Sequence, residues 1–167
     1  LWFYDQIGFS GTNIQGGITR RHEEATGRSL RLCRTTRAEG TVRRGRSVTL
    51  VADSVTVWPA LAGSVVVVID LLRATTTICH AVAAGAREVV PFLEIDDALG
   101  AAGVDRSDII LGGERNGGII RGFDLGNSPS EYTPEKVGGK RVFITTTNGT
   151  RALHHARIAR RVLVGAL

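Results

Sequence analysis

Beyond residue 63 the chain alternates short apolar, β-branched runs with segments of helical spacing. The run VVVVI at 65–69 is unbroken and ends at Asp70, which is the pattern of a strand buried on both faces of an open sheet. Ile78, Ala81 and Val82 then recur at helical spacing within TTTICHAVAA (75–84), and Gly85 supplies a stop. EVVPFL (88–93) reads as the next strand, 95–102 as a helix with Asp96 and Asp97 in its first turn, and 108–111 as a third strand. Six glycines crowd GGERNGGIIRGFDLG (112–126), predicting a shaped loop and no regular element. Pro134 opens a helical turn, KRVFIT (140–145) reads as a strand, 148–159 as a helix and RVLVGA (161–166) as a last strand. Such alternation with short connections predicts an α/β fold: a mainly parallel sheet with right-handed crossovers and helices on both faces. Because no helix follows the last strand, the domain is expected to be truncated at its C-terminus.

Upstream the pattern fades. SVTLVA (47–52) can form a short strand, and Trp58, Pro59 and Gly63 punctuate the approach to residue 65. Residues 1–47 show neither period, so they are expected to be a poorly ordered segment foreign to the domain, with the α/β domain occupying 48–167. Charge divides at the same place. Nine arginines face four acids in residues 1–47, whereas twelve basic and twelve acidic residues balance in 48–167, so the formal net charge of +5 belongs wholly to the first segment. A basic arm on nucleic acid would be the functional reading of that segment, but no aromatics interleave its arginines and the composition argues against a nucleic-acid partner. Cys33 and Cys79 have neither metal nor redox spacing, which suits a reducing, cytoplasmic location. The apolar runs are too short for a membrane span, so no membrane partner is expected.

In open α/β sheets ligands bind beyond the carboxyl ends of the strands. Asp70 and Arg73 follow one strand here, Glu114 and Arg115 another, and Thr145, Thr146, Thr147 and Asn148 a third. TTTNGTR (145–151) puts hydroxyls, Gly149 and Thr150 at a helix start with Arg151 in the first turn, where orphan amides favour an anion such as phosphate. Simple capping of the helix by Thr147 or Asn148 accounts for the same residues equally well. It is not a Walker loop, and no G-x-G-x-x-G follows the first strand. Asp70, Glu114 and Asp124 are acids beside strand ends or glycine loops, a hard-oxygen set suited to Mg²⁺; the bland alternative makes Asp70 and Arg73 helix caps and Asp124 a loop organiser. Cys79 and His80 are neighbours on a helix and cannot form a thiol–imidazole pair; Cys79 reads as core, and His154 and His155 as groups at a helix C-terminus.

The segments VVVVIDLLRATTTI, LGGERNGGIIRGFDLGNSPSEYTPEKVGGKRVFITTTNGTRAL and RVLVGAL resemble, in that order, the 2-phosphosulfolactate phosphatase family. The likeness covers about residues 48–167. It implies a Mg²⁺-dependent acid phosphatase that converts (2R)-phospho-3-sulfolactate to 3-sulfolactate and phosphate in coenzyme M biosynthesis. The site that follows has Asp70, Arg73 and Glu114 in catalysis, and Asp70, Glu114 and Asp124 about the metal. Arg73, Arg115 and Arg151 would meet phosphate and sulfonate, with Thr146, Thr147, Asn148, Gly149 and Thr150 supplying further donors. IDLLRAT is not the DxDxT of haloacid-dehalogenase-type phosphatases, so water rather than Asp70 is the expected nucleophile. The expected partner is a small anionic phosphorylated substrate, and a homo-oligomer is left open. The competing reading is a non-catalytic module that binds a nucleotide or another phospho-ligand.

Overall fold

The computed structural model describes residues 61–166 in full, together with the backbone of strands β1 (Trp2–Asp5), β2 (Glu39–Val42) and β3 (Arg46–Thr49). The strand expected near 47–52 thus starts at Arg46 and pairs antiparallel with β2. The remaining expectations for residues 1–47, and Cys33, Trp58 and Pro59, lie outside the described residues.

From residue 65 the elements follow the apolar pattern: β4 (Val65–Ile69), α1 (Ala74–Ala83), β5 (Glu88–Pro91), α2 (Ile95–Ala102) and β6 (Ile109–Arg115). A two-residue β7 (Gly118–Ile119), α3 (Pro134–Val137), β8 (Arg141–Thr145), α4 (Gly149–Ala156) and β9 (Arg161–Ala166) complete the order. The fold is α/β and its long-range pairings are mainly parallel, β4 with β9 and β8 with both β5 and β6. Antiparallel pairing occurs where β1 lies on β9 and β7 folds back on β6.

Apart from the β2-β3 pair, these strands form two sheets where the sequence suggested one: β1-β9-β4 and β5-β8-β6-β7. Helices α1 and α4 lie between them, α1 touching β9 and β5, α4 touching β4 and β5. Val68, Val162 and Val164 of one sheet, Ile78, Val82 and Leu153 of the helices, and Val89, Val142 and Ile144 of the other sheet share one core. The opposite face of the second sheet packs Val90, Leu111 and Phe143 on Ala98 and Ala102 of α2. Helices therefore cover both faces of that second sheet, as the alternation predicted.

Two expectations fail. β4 is not buried on both faces: Val68 is 7% exposed, whereas Val65, Val67 and Ile69 are 49%, 39% and 44% exposed. Among the described residues its sheet has helices on one side only, and the period of two along the strand then leaves alternate positions outward. Second, the glycine-rich stretch opens as strand, since β6 runs through Gly112 and Gly113 to Arg115. A side chain at Gly112 would strike the Tyr132 hydroxyl, and Gly113, at φ +140°, presses on the carbonyl of Thr145. These glycines serve close packing of β6 against its neighbours, not a turn. Among the described residues no helix is long and apolar enough to cross a membrane.

Candidate active site

Each threonine of Thr75, Thr76 and Thr77 fixes a different piece of backbone. The Asp70 amide donates to Thr75 Oγ1 at 2.7 Å, and the Thr75 amide returns to the Asp70 carbonyl at 3.0 Å. Thr76 Oγ1 donates to the Leu71 carbonyl at 2.8 Å, and Thr77 Oγ1 to the Asn127 carbonyl at 3.1 Å. The first turn of α1 thereby fixes the backbone on either side of the Asp70 side chain and also holds the 126–128 segment.

The second threonine run does the same at α4. Thr150 donates its amide to Thr146 Oγ1 at 3.0 Å and its hydroxyl to the Thr146 carbonyl at 2.8 Å, while the Thr146 amide donates to Thr150 Oγ1 at 3.1 Å. Neither Thr147 nor Asn148 caps the helix with its side chain. Thr147 instead binds Glu114: its amide donates to Oε1 at 2.7 Å and its hydroxyl to Oε2 at 3.1 Å, with the Gly117 amide on Oε2 at 2.9 Å. Gly149 lets α4 approach this centre. A Cβ there would collide with Ala74 and lie 3.0 Å from Asp70 Oδ2.

Around these groups opens a cleft of about 330 Å³, lined by Asp70, Leu72, Arg73, Glu114, Asn116, Gly117, Asn127, Thr146, Thr147 and Asn148. It lies at the carboxyl ends of β4, β6 and β8, where three separate polar strand ends were expected to meet. The two acids in it differ. Burial pushes the Asp70 carboxyl above its ordinary range, the Ala74 amide opposes this, and the charge of Glu114 adds to it. Burial works in the same direction on Glu114 but is outweighed by the Thr147 and Gly117 amides, the Thr147 hydroxyl and the Arg115 charge, so its carboxyl falls below the usual range. The environment of Asp70 thus favours its protonated form and that of Glu114 its anion.

Of the residues nominated from the sequence, Asp70, Arg73, Glu114, Thr146, Thr147 and Asn148 line the cleft. Gly149 and Thr150 are buried just behind it. Three others do not join the lining. Successive strand residues face opposite ways, so with Glu114 turned to the cleft, Arg115 turns away and donates to the Leu93 carbonyl at 2.5 Å. Asp124 accepts the Leu111 amide at 2.8 Å, three residues and roughly 10 Å back along β6 from Glu114. Arg151 is exposed on α4, one residue round the helix from the buried Thr150. Among the described residues no three His, Cys, Asp or Glu side chains are placed to hold a metal together. Cys79 is core, its thiol pushed up to about 12 by burial. Asn116, Gly117 and Asn127 enter the cleft unannounced; only the density of glycines around them marked the region as shaped.

Fold and cleft define an α/β protein that gathers two carboxylates, a guanidinium and a threonine-rich helix start at the ends of parallel strands. Residues 54–167 match the family model described as 2-phosphosulpholactate phosphatase, and the chain belongs to that family. A relative from Clostridium novyi, named "Probable 2-phosphosulfolactate phosphatase", is 51% identical over 102 residues, 61% of this chain and 43% of the relative. Relatives of the same name from Caldanaerobacter subterraneus subsp. tengcongensis and Symbiobacterium thermophilum are each 52% identical, over 103 and 109 residues. These matches cover 61% and 64% of this chain and 43% and 46% of those relatives. The chain thus spans less than half the length of these curated relatives.

Proposed function

We propose that the cleft hydrolyses a phosphate monoester, with (2R)-phospho-3-sulfolactate as substrate and 3-sulfolactate and phosphate as products, a step of coenzyme M biosynthesis. The observation that carries the chemistry is the pair of acids with opposed proton affinities, Asp70 raised and Glu114 lowered, in one cleft with the Thr146–Asn148 turn. Names of the relatives support the substrate. Asp70 takes one proton of the attacking water as the water oxygen bonds to phosphorus, and the water's second proton stays on the phosphate. The ester P–O bond breaks toward the alcohol oxygen, which takes a proton from solvent, and Asp70 then releases its own to solvent. Arg73, exposed at the mouth, meets the anionic substrate. Glu114 pins Thr147, and so the turn, through its hydrogen bonds.

Two carboxylates beside one lining arginine would repel a phosphate dianion, so the donor set calls for a divalent cation. Asp70 and Glu114 fit Mg²⁺, which commonly takes one or two carboxylates and completes its shell with water and substrate phosphate. Bound there, Mg²⁺ would neutralise charge on the phosphoryl group, a large need for reactions whose rate enhancements reach about 10²¹. The reading is tested by phosphate release from phospho-3-sulfolactate with Mg²⁺ and with EDTA. Release that requires Mg²⁺ is expected; equal release in EDTA would remove the metal from the account.

A further inference from the structure

The cleft holds one buried polar atom that the chemistry above does not use. Asn127 is 7% exposed, lines the cleft with Asp70 and Glu114, and its Oδ1 has no hydrogen-bond partner. Its backbone is held from behind: its own carbonyl accepts Thr77 Oγ1, and the preceding Gly126 gives its amide to Glu131 at 2.7 Å and accepts the Tyr132 hydroxyl at 2.7 Å. The backbone that carries the side chain is therefore fixed. A buried acceptor left unpaired costs stability unless a ligand brings the missing donor.

Asn127 Oδ1 is an acceptor, so this point of the cleft asks a ligand for a proton. Tetrahedral oxyanions of similar size differ in whether they carry any. A phosphoryl group retains a P–OH at and below about pH 6, whereas a sulfonate or sulfate is fully ionised throughout. We propose that Asn127 Oδ1 marks the phosphoryl subsite, accepting the P–OH hydrogen, and so sorts the phosphoryl end of the substrate from its sulfonate end. This rests on the reading of the substrate as a sulfonated phosphate monoester. It makes Asn127 a specificity-determining residue that directs the phosphoryl group inward.

The test is calorimetric binding of inorganic phosphate and of sulfate to the full chain, in one Mg²⁺-containing buffer at pH 6, with no turnover involved. Phosphate is expected to bind more tightly than sulfate. Asn127→Ala should cut that preference about fivefold or more by weakening phosphate alone, the scale of one lost hydrogen bond at a buried acceptor. Asn127→Ser, which withdraws the carbonyl but keeps a polar side chain, should do the same. Asn127→Asp keeps an acceptor and adds charge, so it should weaken both anions and preserve the preference. Sulfate bound as tightly as phosphate by the unaltered chain would overturn the proposal, as would equal losses for both anions in the alanine and serine variants. Failure to hydrolyse phospho-3-sulfolactate alongside an intact, Asn127-dependent preference would reject the hydrolytic reading and keep the subsite; hydrolysis without the preference would do the reverse.

Discussion

Asp70 and Glu114 share a cleft, yet burial dominates at Asp70 despite the Ala74 amide, whereas several donors outweigh it at Glu114. For Asp70, a proton affinity raised in the folded state means that folding stability falls as pH climbs from the ordinary carboxyl value of 3.8 through the raised one. Above that point the whole cost of the buried charge is present. Asp70→Asn should therefore melt at an equal or higher temperature than the unaltered protein at pH 7 while losing about 10²-fold or more in hydrolysis; a large drop in melting temperature would make Asp70 a structural residue. Glu114 has the opposite sign. Its contribution is present above the ordinary value of 4.5 and disappears as pH falls through the lowered one. Glu114→Gln should cost about 1 kcal/mol at pH 7, read by urea unfolding, with the difference vanishing in acid. Both acids were legible in the sequence as strand-end carboxylates. That Arg115 and Asp124 stand off the cleft lining was not legible, because adjacency in sequence says nothing of which face of a strand a side chain takes, or which backbone amide a loop carboxylate will meet.

At the scale of elements, helix α4 reaches the cleft only because residue 149 lacks a side chain. Gly149→Ala should displace the α4 start from Ala74 and Asp70, lowering both melting temperature and activity, whereas an unchanged melt would mean that the two helices are not in close contact. β4 makes a paired prediction. Val68→Ala removes buried methyl groups and should cost about 2 kcal/mol, while Val67→Ala on the outward face should cost under about 1 kcal/mol. Equal costs would restore the strand buried on both faces. The apolar run of β4 is long enough to suggest such burial, and only the pairing of β4 with β9, away from β5, decides otherwise. Glycines misled in the reverse direction. GG in GGER looked like loop, but Tyr132 and the Thr145 carbonyl, distant in sequence, require the missing side chains.

Across the molecule, element type and order were readable because a 3.6-residue apolar period survives in α1 and α2 and short unbroken apolar runs mark β5 and β8. Their division between two sheets was not, since it depends on β9 completing a pairing with β4 from nearly a hundred residues away. The cleft inherits this: β4 brings Asp70 from one sheet, and β6 and β8 bring Glu114 and Thr147 from the other, with α1 and α4 holding the sheets in register. Leu153, fully buried in the shared core, tests that dependence. Leu153→Ala should lower stability by about 2–5 kcal/mol and reduce activity at temperatures well below its melt, with no change in any cleft residue. The most direct measurement of the central claim is the pH profile of Mg²⁺-supported phosphate release from phospho-3-sulfolactate by the protein and by Asp70→Asn. The account predicts a limb on the acidic side that is governed by Asp70 and absent, with nearly all turnover, in the variant. Full turnover by Asp70→Asn with the limb unchanged would contradict it.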